Sequence, residues 1–302
     1  MGFVGKFEKP MKYAINIINF GECGDALTLA GLARNAETAG WDGFFVWDHI
    51  AWDGRTMPMV DPWIALTAIA TSTRRIRIGL MVTPLPRRRP WKFARETVSL
   101  DHLSGGRLTV GVGIGNAQAE FRNLGEAAEL KTRGSMLDEG LQVVNGLWRG
   151  ERYSFEGEHY TLKDAQFLPA TLQQPRIPIW VAGTWPNKAP FRRAAHWDGV
   201  FPILSGTSSG AYPTPAQIRQ IIDFVQGHRK SDGPFDVSVQ GTTPGDDPEQ
   251  AAETTAKYAQ AGVTWWQEAI NERRSDLIAV PGDRTPWIET VRWRIQQGPP
   301  CY

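Results

Sequence analysis

An imidazole at the end of an apolar run is the first group in this sequence that could do chemistry. His49 follows Gly43-Phe44-Phe45-Val46-Trp47 and Asp48, and Trp52 lies three residues on. Imidazole changes charge near neutral pH, so at a strand end it can donate a hydrogen bond or take a proton. A histidine bonded to a carboxylate for structural reasons fits the same spacing. The run Gly111-Val112-Gly113-Ile114-Gly115-Asn116 is the second feature. Glycines lack a Cβ, so a flat ligand can approach the backbone there; tight packing between strands explains them equally well. Ala182-Gly183-Thr184, ahead of an expected helix, offers a glycine and a hydroxyl as a phosphate seat. Leu80-Met81-Val82-Thr83-Pro84 is either the floor under a planar ring or a core strand entering a turn. Cys23 reads as a small hydrophobe, because no lysine or histidine beside it would favour the thiolate.

These groups need a scaffold that brings strand ends together. Short β-branched runs alternate with helical patterns along the chain, which is the signature of parallel βα units. Strands are expected at 13–18, 43–47, 76–82, 108–113, 177–182, 198–201, about 235–240 and 263–267. Helices are expected near 25–39, 61–71, 90–103, 132–148, after Thr184, and near 215–229, 247–261 and 285–296. Asp25 and Asp61-Pro62 supply helix starts, and Gly40 and Gly105 supply stops. The segment 153–160 alternates with period two around a turn and is expected to form a small hairpin laid on the main fold. Eight strands with eight helices in 302 residues predict an α/β fold, a closed (β/α)₈ TIM barrel in one domain. A doubly wound open sheet would need a glycine-rich phosphate loop after the first strand, and Asn19-Phe20-Gly21-Glu22 is not one. The expected organisation is a leader over residues 1–11 and the barrel over 12–302.

The 33 basic and 32 acidic side chains leave a formal charge of +1. That balance gives no electrostatic reason to expect a nucleic-acid or membrane-surface partner. The basic run Arg87-Arg88-Arg89 reads as a solvated loop. No stretch approaches the roughly 20 apolar residues of a membrane helix. Cys23 and Cys301 provide neither a metal-ligand spacing nor a disulfide framework, which suits a reducing cytoplasm. Thirteen tryptophans would serve a core, and also a site that embraces a flat ring. An aldolase-like barrel would want a Schiff-base lysine on a strand, and none of the eight expected strands contains one.

Several stretches together resemble the luciferase-like monooxygenase superfamily, in particular its branch that depends on the deazaflavin coenzyme F420. They are Ala39-Gly40-Trp41-Asp42-Gly43 leading to Asp48-His49, Asp61-Pro62-Trp63, and Pro86-Arg87-Arg88-Arg89-Pro90. Most specific is Leu100-Asp101-His102-Leu103-Ser104-Gly105-Gly106-Arg107-Leu108 with its glycine-rich continuation. Pro178-Ile179-Trp180-Val181-Ala182-Gly183 and Ala194-Ala195-His196-Trp197-Asp198-Gly199 follow. The resemblance implies a TIM barrel, commonly a homodimer, that binds F420 or FMN over the strand C-termini. It implies that His49 is the active-site residue near the reacting carbon; beside it Trp52, excluding water, and Asn116, orienting a carbonyl, are the further catalytic candidates. It further implies cofactor contacts at Asp48, Leu80, Met81, Val82, Gly111, Gly113, Gly115, Ala182, Gly183 and Thr184, and a non-prolyl cis peptide near Leu80-Met81-Val82. One departure matters: sugar-phosphate dehydrogenases of this branch carry a catalytic glutamate where this chain has Asn116. An amide cannot donate a carboxylic proton, so that substrate is not carried over. The expected function is hydride exchange between F420 and a small organic substrate. The alternatives are an FMN-dependent monooxygenase and a flavin-binding barrel without catalysis.

Overall fold

Strand ends decide where chemistry can occur, and in the computed structural model they all lie on one rim. The structure describes residues 10–52, 56–116, 118–204, 212–270 and 286–300. The barrel strands are β1 (Lys12–Ile17), β2 (Gly43–Val46), β3 (Arg77–Pro84), β4 (Leu108–Gly113), β7 (Ile179–Trp185), β8 (Gly199–Leu204), β9 (Asp236–Gly241) and β10 (Trp265–Ile270). Each pairs in parallel with its neighbours, and β1 meets β10 from Lys12 opposite Trp265 to Ile17 opposite Ile270, which closes the cylinder. Between them run α1 (Ala26–Thr38), α2 (Pro62–Ser72), α3 (Pro90–Ser104), α4 (Leu130–Leu147), α5 (Lys188–Ala194), α6 (Pro215–Gln226), α7 (Pro248–Gln260) and α8 (Trp287–Gln296). The (β/α)₈ barrel predicted above is therefore the fold. Both faces of its strands are buried, so they read as continuous apolar runs. Ile15, Ile17, Phe44 and Val46 pack outward against helices, while Ala14, Phe45, Met81, Trp180, Phe201 and Trp265 fill the barrel interior.

Local signals set the element ends. Asp25 accepts the Thr28 amide at 2.7 Å to start α1, and Asp61 accepts those of Trp63 and Ile64 ahead of α2. Gly105, at φ 69°, stops α3 in the left-handed region that other residues avoid. The hairpin is longer than expected: β5 (Tyr153–Glu156) pairs with β6 (Thr161–Ala165), and residues 157–160 form the connection. Glu139 of α4 holds that connection by accepting the amides of Glu158, His159 and Tyr160. Among the described residues no helix is long and apolar enough to cross a membrane.

Two expectations about the strands need correction. The first strand begins one residue earlier than expected, so Lys12 lies on it. It sits at the N-terminal end, away from the rim, with its ammonium 5.1 Å from the Trp265 ring. The fifth barrel strand runs on to Trp185, because Gly183 and Thr184 continue the ladder opposite Pro202 and Ile203 of β8. Ala182-Gly183-Thr184 is thus strand, and α5 starts only at Lys188, capped by Asn187. Residues 1–9 of the expected leader, Cys301 and residues 205–211 of the expected pocket loop lie outside the described residues.

Candidate active site

The loop after β2 is anchored from below. Asn19, fully buried beyond β1, donates to the carbonyls of His49 and Val60 at 2.7 and 2.8 Å. This fixes the backbone on which His49 and Trp52 stand. The His49 ring packs against three aromatics, with centroids 4.6 Å from Trp52, 5.7 Å from Trp47 and 6.2 Å from Phe20. Trp47 is itself held, since its indole nitrogen donates to Asn16 Oδ1 at 2.6 Å inside the barrel. Gln240 donates to the same oxygen, Asn16 donates to Gln267, and Gln267 donates to Ser238. Four strand regions are tied by this amide network below the rim. The aromatic wall beside His49 therefore rests on satisfied polar groups.

On its other side His49 meets a carboxylate. Its Nδ1 lies 3.1 Å from Oε1 of Glu120, a side chain only 1% exposed in the turn following β4. The same Oε1 accepts the Ile50 amide at 2.7 Å. Arg87, beyond β3, pairs with Glu120 at 2.7 Å and with Asp48 at 2.5 Å, and Arg88 reaches Asp48 at 2.9 Å. Burial pushes the Glu120 carboxyl up. The His49 hydrogen bond, the charges of His49 and Arg87 and the Ile50 amide outweigh it and hold Glu120 below the usual carboxylate range. Two arginines and two carboxylates thus close a buried ion-pair cluster that joins the loops after β2, β3 and β4.

This cluster corrects one expectation. Arg87 is 4% exposed and Arg88 17%, so these two are not solvated as expected; Asp48 and Glu120 draw them inward, while Arg89 is exposed. It also accounts for Asp48, whose carboxylate is fully engaged by the two guanidinium groups. Glu120 was not anticipated. A signal existed, since it is the first carboxylate after the glycine run, but nothing in the spacing named its partners. Arg133 of α4 was missed for the same reason. It donates to the carbonyls of Ile114 and Gly115 at 3.2 and 3.1 Å and stacks on Phe121 at 4.1 Å, which secures the loop that carries Asn116 and Glu120.

The four glycines have different causes. A Cβ at Gly111 would lie 2.5 Å from the Leu80 carbonyl oxygen, and one at Gly183 would lie 2.6 Å from Pro190, so packing requires both. Gly115 has φ +78° beside the Phe121 ring. Gly113 stands apart: a Cβ there would meet only Val82 at 3.3 Å and Ala182 at 3.7 Å. Val82 and Ala182 are half-buried, and Thr184 and Asn116 are exposed. Val82, Gly113 and Ala182 form an aliphatic cradle at the ends of β3, β4 and β7, with Leu80 and Met81 buried. The Met81-Val82 peptide is cis, at the place implied by the resemblance. Cys23 is fully buried among apolar side chains between barrel and helices. Away from the rim, Glu139, Glu158 and His159 gather within 4.8 Å, where Glu139 anchors the hairpin connection and His159 contacts Ser135.

The luciferase-like monooxygenase family matches residues 21–292. The chain belongs to that family. An F420-dependent glucose-6-phosphate dehydrogenase of Rhodococcus erythropolis is 31% identical over 90% of this chain and 80% of its own length. The enzyme of the same description from Microbacterium testaceum is 35% identical, over 50% of this chain and only 45% of its own length. Among solved structures, the coenzyme F420-dependent tetrahydromethanopterin reductase of Methanopyrus kandleri superposes with a TM-score of 0.72, at 15% identity, over 96% of this chain and 99% of the other. At that identity the likeness shows the barrel fold.

Proposed function

We propose that this protein is an F420-dependent oxidoreductase that moves a hydride between the deazaflavin and a small organic substrate. One observation carries the reading: a histidine paired with a buried carboxylate stands on the same rim as the cradle of Val82, Gly113 and Ala182. The cradle suits the group, since Gly113 leaves a low, apolar bed between two half-buried side chains, and a flat ring system lies well on such a surface. Val82, Gly113, Ala182 and Thr184 would hold it, and the bound deazaflavin supplies the hydride carrier. His49 holds or moves the accompanying proton at Nε2, because Nδ1 faces Glu120. Trp47, Trp52 and Phe20 exclude water from that edge and favour a substrate with an apolar body. The homodimer implied by the resemblance and the cytoplasmic location expected from the cysteines belong to the same proposal.

The family's own description favours a second reading, a monooxygenase using reduced FMN and dioxygen. Adding purified protein to each cofactor separates the two. Saturable quenching of F420 fluorescence, with none of FMN at equal concentration, supports the first reading. The reverse pattern supports the second.

A further inference from the structure

Glu120 lies at the meeting point of two loops, and its bonds prescribe what His49 can do. Its Oε1 is shared by His49 Nδ1 and the Ile50 amide, with the Ala51 amide at 3.4 Å, while Oε2 faces Arg87. A buried carboxylate held ionised by an arginine can only accept hydrogen bonds. The proton between His49 and Glu120 therefore belongs to Nδ1. Neutral imidazole carries one N–H, so Nε2 is then bare. The His49 side chain remains 20% exposed, whereas Glu120 is 1% exposed. Among the described residues, the titratable and charged groups around the pair are Asp48 beside it on the β2 loop and Arg87 and Arg88 beyond β3, all within the same cluster.

We propose that Glu120 is a positioning residue. It fixes His49 in the tautomer with the proton on Nδ1, so that bare Nε2 is presented to the rim as the proton acceptor. Arg87 keeps Glu120 charged for this task. The proposal rests on the reading of His49 as the proton-handling group, but its decisive readout does not need turnover. A residue that merely tied the two loops together would affect stability without selecting a tautomer.

The test is ¹⁵N NMR of the histidine ring nitrogens in the full-length protein without cofactor, with His49 assigned by the signal lost in His49→Gln. In wild type, at a pH where the ring is neutral, Nδ1 should carry the proton and Nε2 should be bare. In Glu120→Gln the amide oxygen still accepts, so the tautomer should persist. In Glu120→Leu it should be lost. With F420 and an accepted substrate, kcat should fall about 10–100-fold in Glu120→Leu with KM little changed, and by much less in Glu120→Gln. A proton on Nε2 in wild type overturns the proposal, as does an unchanged tautomer in Glu120→Leu. Should the leucine variant fail to fold, the wild-type and Glu120→Gln spectra still decide. A tautomer that changes without loss of turnover leaves the positioning intact and removes the proton role of His49 instead.

Discussion

Two layers inside the same barrel obey different rules. The lower layer is an apolar plug in which Phe45, Trp180 and Trp265 pack with ring centroids 5.4–5.9 Å apart, and each is 3% exposed or less. Above the plug the chemistry is the opposite: the amides of Asn16, Gln240 and Gln267 just below the rim, and at the rim the ion pairs of Asp48, Glu120, Arg87 and Arg88. Burial is comparable in both, so exposure alone does not separate structure from function. What separates them is paired charge, although Arg87 Nη1, 2.7 Å from Glu120, and Arg88 Nε lack a hydrogen bond. A plug of rings is sustained by its own burial, whereas buried charges are costly unless paired and hydrogen-bonded. Such groups sit at the end of the barrel where the strands stop and loops can supply partners.

That contrast can be broken from either side. Truncating the plug with Trp180→Ala should cost about 3–5 kcal/mol of stability in denaturant unfolding, with rim function lost only as far as the protein unfolds. On the rim, His49→Ala should lower turnover about 10²–10⁴-fold while cofactor affinity changes little. Equal losses in binding and turnover would remove the proton role. Glu120→Gln should lie between, at about 1.5–3 kcal/mol of stability at neutral pH. Its sign with pH is fixed. A carboxyl held below its ordinary value of 4.5 stabilises the fold above that value and ceases to do so as pH falls through its folded value. The stability gap between wild type and Glu120→Gln should therefore narrow on acidification below about pH 4.5, and a gap that widens would contradict the cluster. Far from both layers, Asp25→Ala should lower stability least, through loss of the α1 cap, and should leave cofactor binding unchanged.

The plug was more legible in the sequence than the rim. Strand runs such as Phe44-Phe45-Val46 and Ile78-Gly79-Leu80 declare themselves locally, since burial on both faces requires apolar residues throughout. Asp25, Asp61 and Gly105 likewise mark helix ends through neighbours in the chain. His49 and Gly113 were found as unusual residue types at strand ends. Glu120, Arg87 and Arg133 were not, because each acts through a partner on another loop: His49 and Glu120 are 71 residues apart. Spacing cannot declare such pairs. The same limit applies to Gly111 and Gly183, where packing between strands and helix already requires glycine, whatever else the backbone meets.

The claim beneath all of this is that the bed of Val82, Gly113 and Ala182 and the edge of His49 serve one planar heterocycle. A crystal structure of the protein soaked with F420 tests it most directly. The expected result is the deazaflavin ring lying on Val82 and Gly113 with its reacting edge towards His49 and Trp52. Density for the cofactor elsewhere on the molecule, or a ring with His49 out of reach, would contradict it.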